Sequence, residues 1–493
     1  MSGLLFALSP EFFTRLLLFP ILLVVLLVIW ALPDTEQPPA TLLRRAFFCY
    51  LTAIAVWPYY LAVQIPGLPL LEPRRVASIL VLASLLIGVS VSPRFRRYIA
   101  DLARETPWLF RAIIVYLGVQ IITIGLSRAP ADSFSYFLKD LMNETGMLFA
   151  AIIVFADRDA WKDLRKLIMG LAFFLSIIAL AEYRNQGILW ANHIPSFLAV
   201  SDPAMQDLLT PVFREGDYRV TGPFSVSLCF AEFLSLTMPF ILTEVFFAKT
   251  FTRRALALAL DALVLAAILT TQARTGVIGA TIAHLTFGGL WAFRTWRSKP
   301  NDILGPFLGV SAVLGGIAFL FALMFVPAVY IRLLGGGSTQ YSNEGRTAQL
   351  DKAWDLIFGQ GAVGYGPGQG AIVLDYRNLA GLLSIDIGYL RIVLDSGIIG
   401  LIAYVVIFGG LFFRMIRRSL ENTPNAQIYM ALTACFGIWL VSRLVLAQND
   451  NSSFLYILVG AAISLSASIK IGDRIKEKPR SVSLTPIARG AST

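Results

Sequence analysis

From Leu16 onward this chain returns again and again to runs of about 20 mostly apolar residues, the length a helix needs to cross a hydrocarbon core at ~1.5 Å per residue. A segment in lipid has no water to satisfy its backbone, so it must close its own N–H and C=O groups as a helix. Runs near that length start at about Leu16, Ala46, Val76, Trp108, Leu141, Lys166, Phe224, Ala255, Thr275, Leu304, Tyr389, Ile428 and Phe454. The fold expected is an all-α polytopic membrane protein of about 12–14 transmembrane helices. Pro20, Pro33, Pro58 and Pro66 interrupt the pattern in the first three runs. One transmembrane helical domain is expected over 1–470, with long loops at 184–221 and 330–386, and a disordered cytoplasmic tail over 471–493.

Composition supports this and excludes a soluble domain: 57% of residues are hydrophobic and 15% charged, against roughly 25% charged in soluble proteins. The net charge of +10 sits in short loops, where it reports topology rather than a nucleic-acid partner. Arg94, Arg96, Arg97 and Arg104 mark one positive loop. Arg158 to Lys166, Lys249 to Arg254, Arg294 to Lys299, Arg414 to Arg418 and the tail from Lys470 mark the others. Positive loops stay cytoplasmic, so the alternate loops face outward: Ser127 to Asp140, Arg184 to Thr221, Gln272 to Arg274, Tyr330 to Asp386, and Gln448 to Ser453. Leu16 to Leu32 reads as a retained signal anchor, since it lacks a small-residue cleavage site.

Cys49, Cys229 and Cys435 lie inside apolar runs without metal-ligand spacing and read as buried hydrophobes. No phosphate-binding glycine loop after a strand and no transporter-type repeat is present, and no cofactor or metal is expected.

The polar chemistry gathers in the outward loops. Arg219 stands in Tyr218-Arg219-Val220-Thr221-Gly222-Pro223-Phe224, just before a span. Arg274 sits in the tight turn Thr270-Thr271-Gln272-Ala273-Arg274-Thr275-Gly276, where two spans meet. Arg346 belongs to the large loop, in a helix expected to be capped by Ser342 or Asn343, with Arg346, Leu350 and Trp354 on one face. Guanidinium groups are permanently charged and match phosphate oxygens with a planar fork. The bland reading is that each arginine snorkels to headgroups or pairs with a carboxylate. Gly364-Tyr365-Gly366-Pro367-Gly368 offers positions that tolerate positive φ, suited either to close approach to a ligand or to a plain turn. Asp386, at the mouth of the next helix, is either a partly desolvated proton acceptor or the N-cap of that helix. His193 lacks a metal partner and His284 is isolated in a span, while Glu144, Glu182, Glu232 and Asp261 are scattered within spans and fit structural hydrogen bonding.

In this order the pieces resemble the O-antigen ligase and Wzy-type polysaccharide polymerase family. Arg219 to Phe224, the Thr270 to Gly276 turn, Arg346 to Gly368, and Asp386-Ile-Gly-Tyr-Leu followed by Asp395-Ser-Gly-Ile-Ile-Gly are similar to the family's motifs, over roughly Tyr218 to Val405. The chain departs from them at Asp386 and Ile387, where ligases carry His and Asn, and at Ala273, where the family has Ser. The resemblance implies a GT-C-like fold in the bacterial inner membrane and an inverting, metal-independent glycosyl transfer at its outer face. A polyprenyl-pyrophosphate-linked oligosaccharide would be the donor. It further implies that Arg274 and Arg346 bind pyrophosphate with help from Arg219, that Asp386 is the base, and that Tyr365, Gly366 and Gly368 form a substrate loop.

Three functions follow. The first is polymerisation of lipid-linked repeat units into exopolysaccharide, capsule or a similar polymer, with a chain-length regulator as possible partner. The alternatives are an O-antigen ligase transferring glycan to lipid A core, and a polysaccharide flippase or transporter.

Overall fold

The computed structural model describes residues 23–35, 39–65, 70–200, 208–214, 216–298, 303–326, 340–359, 362–377, 381 and 383–466. The expected tail, the start of the large loop at Tyr330 and the first part of the Leu16 run lie outside these residues.

The protein is an all-α polytopic membrane protein. Residues 23–30 are helical, and from residue 39 onward the α-helices in chain order are α1 (Ala40–Val56), α2 (Pro73–Val91), α3 (Pro93–Glu105), α4 (Pro107–Leu126), α5 (Pro130–Asp140), α6 (Gly146–Val154), α7 (Asp159–Asn185) and α8 (Ser227–Phe247). They continue with α9 (Phe251–Thr270), α10 (Arg274–Ser298), α11 (Leu304–Phe325), α12 (Gln340–Phe358), α13 (Gly370–Leu374), α14 (Gly388–Ser419), α15 (Ala426–Ser442) and α16 (Ser452–Ser466). Six of them, α2, α4, α7, α8, α10 and α14, are long and apolar enough to cross a membrane among the described residues. α15 and α16 are apolar but shorter. α9 reaches the length but carries Arg253, Arg254 and Asp261.

Burial separates the core of the bundle from its lipid-facing rim. In α8, 83% of the apolar stretch is buried, against 28% in α4. α8 is therefore the central post, and it packs against α9, α10 and α15. α14 lies between α15 and α4, and α16 packs on α6. Phe230, Phe233 and Phe454 fill the centre, with Phe224 on Phe230 and Phe233 at centroid distances of 5.4 and 5.3 Å. Close helix approach depends on small residues: a Cβ at Gly460 of α16 would come 2.1 Å from the Leu148 carbonyl oxygen of α6.

Among the described residues strands pair in two ribbons, with isolated bridges at Val63–Leu71 and Arg377–Leu383. β1 (Leu61–Val63) pairs antiparallel with β2 (Leu198–Val200), and β3 (Phe213–Arg214) with β4 (Asp217–Tyr218). These ribbons and the connecting turns meet at one end of the bundle. Val220 N–H donates to Thr270 O at 3.3 Å, Gly388 N–H to Arg443 O at 2.8 Å, and Ser225 Oγ to Asp450 Oδ2 at 2.6 Å. The loops that the charge alternation assigns to a single face are therefore neighbours in space. The opposite end carries the basic loops, with Arg44 paired to Asp157 at 2.8 Å and to Asp163 at 2.5 Å, and Arg165 to Glu244 at 2.9 Å.

Candidate active site

Arg219 follows the β3–β4 hairpin, whose turn sequence Arg214-Glu-Gly-Asp217 uses Gly216 at φ 89°. Arg219 N–H donates back to Val212 O at 2.9 Å, and its Nε donates to Thr271 O at 3.4 Å. That bond joins Arg219 to the turn between α9 and α10, and Arg274 opens α10 at the end of the same turn. The turn is held from within: Gln272 takes φ 52°, and Ala273 N–H donates to Thr271 Oγ1 at 3.2 Å.

The segment around Arg219 is held by Glu182 at the end of α7. This fully buried carboxylate accepts from Tyr218 OH at 2.9 Å, from Thr221 N–H at 2.9 Å and from Gly222 N–H at 3.1 Å. Glu182 thus works as the structural hydrogen-bonding group its sequence context suggests.

Arg346 lies on α12, which starts at Gln340, so Ser342 and Asn343 fall inside the helix rather than at its cap. The face bearing Leu350 and Trp354 is exposed, at 49% and 64%, while Gln349 and Ala353 turn inward. Half-buried Arg346 donates to Asn343 Oδ1 at 3.4 Å, and its Nε is buried without a hydrogen-bond partner among the described residues. The segment after α13 wraps around this helix: Lys352 Nζ donates to Asp375 O at 2.6 Å, and Ser384 N–H to Tyr376 O at 2.9 Å. Asp386 N–H then donates to Gln349 Oε1 at 2.9 Å.

This arrangement overturns the N-cap reading of Asp386. α14 begins at Gly388, its N-cap is Ile387, and no side chain caps it. The Asp386 carboxylate instead accepts from Ser384 Oγ at 3.0 Å and lies in the field of Arg346.

Burial and like charge together shape the electrostatics of the cluster. Burial pushes the Arg219 guanidinium down to about 10, and the neighbouring Arg214 adds to the effect. Burial also pushes Arg346 down; Asp386 opposes this and Arg214 reinforces it. Arg214, on β3, was not singled out from sequence although the hairpin composition of residues 214–217 would have located it on a turn. Its charge acts on both Arg219 and Arg346.

The glycine loop has a different neighbour. Gly364, Gly366 and Gly368 all take positive φ, at 96°, 105° and 77°. Tyr365 N–H donates to Leu394 O at 2.8 Å and Gly366 N–H to Asp395 O at 3.0 Å, where α14 breaks at Gly397 with φ 67° and ψ −176°. A Cβ at Gly364 would come 2.5 Å from Gly397 N, so both positions exclude a side chain. Gly366 and Gly368 would similarly meet Ser127 and Tyr136, and Tyr365 OH donates to Leu356 O at 3.1 Å. The loop's conformational freedom serves the close approach of one backbone to another.

Beneath it lies a polar chamber of ≈ 40 Å³, lined among others by Asp140, Glu144, Arg391, Asp395, Asn449 and Ser452. Its volume suits on the order of three waters. Arg391 Nε stands 3.5 Å from Asp395 Oδ2, and Gly370 N–H donates to Asp395 Oδ1 at 2.6 Å. Pro367 lines the chamber, and none of the site residues named from sequence does. Deeper in the core, Arg443 pairs with Glu232 at 2.6 Å, and Asn451 Nδ2 donates to Glu232 Oε2 at 2.8 Å. His284 is not isolated: its Nε2 lies 3.0 Å from Asp261 Oδ2 on the adjacent α9. Among the described residues no group of three or more His, Cys, Asp or Glu stands in a position to hold a metal ion.

The fold and site thus define a multi-pass membrane protein with a group of arginine-bearing loops at one end of its bundle. Residues 259–405 match the family model Wzy_C, described as O-Antigen ligase, so this stretch is similar to that family. The match takes in Arg274, Arg346, the glycine loop and Asp386, and leaves Arg214 and Arg219 outside. No curated protein matches the chain.

Proposed function

We propose that the protein polymerises polyprenyl-pyrophosphate-linked oligosaccharide repeat units at the outer face of the bacterial inner membrane. Its product would be an exopolysaccharide, capsule or O-antigen-like polymer. The observation that carries this reading is the gathering of Arg214, Arg219 and Arg346 in one electrostatic neighbourhood, beside the Arg274 turn and with Asp386 close to Arg346. Like charges brought together at partial burial repel, and a dianionic pyrophosphate relieves that repulsion while gaining several charge-assisted hydrogen bonds.

The reaction requires the acceptor hydroxyl oxygen to bond to the anomeric carbon as the bond from that carbon to the pyrophosphate oxygen breaks. Asp386 takes the hydroxyl proton, and the electron pair of the broken bond leaves on the polyprenyl pyrophosphate. Attack from the face opposite the leaving group inverts the configuration. Arg274 and Arg346, assisted by Arg219, offset the charge that grows on the leaving group, so they act most strongly in the transition state. Ser384, donating to Asp386 Oδ1, orients the base.

A strain lacking the protein then accumulates single lipid-linked repeat units, and normal polymer length there refutes the polymerase reading. Arg274→Ala abolishes polymer while the protein remains in the membrane; full activity would remove the pyrophosphate role. The description of the matching family favours a second reading, ligation of finished glycan to lipid A core. Under it the mutant accumulates unligated polymer instead.

A further inference from the structure

Gln349 is fully buried on α12, close to Arg346 on the same helix. Its amide has one orientation, because Oε1 must accept from Asp386 N–H at 2.9 Å. Nε2 is therefore a donor, and it is buried without a hydrogen-bond partner among the described residues. So is Nε of Arg346. Two neighbouring buried donors left unsatisfied are costly, since each has given up water and gained nothing in exchange. The Asp386 carboxylate, which acts on Arg346, is engaged by Ser384 Oγ.

We infer that Gln349 is a further substrate-binding residue: its Nε2 and the Arg346 Nε together hold one acceptor oxygen of the pyrophosphate, while its Oε1 keeps the Asp386 segment alongside. This deepens the function proposed above and rests on it. The two ends of one amide then couple leaving-group binding to the placement of the base. A purely structural glutamine would need only the acceptor half, and a longer apolar side chain would fill the remaining space without stranding a donor.

The test uses the full chain in nanodiscs with farnesyl pyrophosphate as the probe and farnesol as the control for the tail. Affinity is measured by calorimetry and folding by thermal unfolding. Gln349→Glu keeps an acceptor for Asp386 N–H and removes the donor, whereas Gln349→Met removes both at similar volume and without charge. Both variants lose at least about tenfold in affinity for the probe, the scale of a hydrogen bond to a charged group, and Gln349→Glu unfolds at the wild-type temperature. Leu350→Ala, an exposed change on the same helix, binds as wild type. Wild-type affinity in either Gln349 variant overturns the inference and leaves the pyrophosphate site standing. Equal affinity of the wild-type protein for farnesyl pyrophosphate and farnesol overturns the pyrophosphate reading itself.

Discussion

Arg443→Met tests whether the centre of the bundle is organised by a buried ion pair. Arg443 and Glu232 have side chains 2% and 1% exposed and meet at 2.6 Å. Arg443 also donates Nη1 to Gln448 O at 2.9 Å, and its guanidinium lies 3.8 Å over the Trp439 ring. Glu232 accepts further bonds from Ser442 Oγ and from Asn451 Nδ2. Removing the guanidinium strands a carboxylate that water cannot reach, which costs about 3–5 kcal/mol. Glu232→Gln in the same background removes the stranded charge and keeps an amide that Asn451 and Ser442 can engage. The double variant therefore recovers at least ~2 kcal/mol of the loss. Denaturant unfolding of the purified protein in mixed micelles measures all four members of the cycle. A double variant as unstable as Arg443→Met alone would refute the reasoning, because the damage would then come from lost packing on Trp439 rather than from unpaired charge. The Gly388 N–H bond uses the Arg443 backbone carbonyl and survives both changes, so the start of α14 should hold its place.

Gly397→Ala destabilises by about 3 kcal/mol or more, since φ 67° with ψ −176° is essentially a glycine conformation and a Cβ would lie 2.5 Å from the Val363 carbonyl carbon. Limited proteolysis reads this as new cleavage in residues 359–369, and an unchanged digest counts against the docked-loop geometry. Glu182→Gln weakens the hold on Tyr218, Thr221 and Gly222 by roughly 1.5–3 kcal/mol, and hydrogen exchange at Thr221 and Gly222 rises accordingly. Arg214→Ala reduces affinity for farnesyl pyrophosphate by about tenfold and Arg214→Lys by less, as a phosphate contact requires and a hairpin-only role does not. A cysteine at exposed position 217 reacts with a membrane-impermeant maleimide added to spheroplasts, whereas one at position 162 does not; the reverse pattern inverts the proposed orientation.

Particular residues show where one-dimensional reading stops. The apolar runs that become α8 and α14 are visible because crossing length and hydrophobicity are local properties. Arg219, Arg274 and Arg346 stand out for a similar reason, as fixed charges at the edges of such runs. The positive φ of Gly364, Gly366 and Gly368 was foreseeable from glycine spacing, but its purpose was not. Those glycines meet the break at Gly397 and residues of α5 and its preceding turn, far away along the chain. Asp386 misled for a related reason: its position before a helix suggests a cap, yet its backbone is drawn to Gln349 on α12.

Sequence by itself determined that this protein is a helical membrane bundle, which of its loops share a face, and which fixed charges stand at the edges of its apolar runs. Tertiary structure decided that Arg214 joins the cluster, that Gln349 fixes the Asp386 segment, that His284 finds Asp261, and that Arg391 and Asp395 line a buried chamber with Asp140 and Glu144. The division is physical. Transfer into lipid acts on each segment independently, whereas the pairing of polar groups depends on which segments the packed bundle brings within about 3 Å of one another.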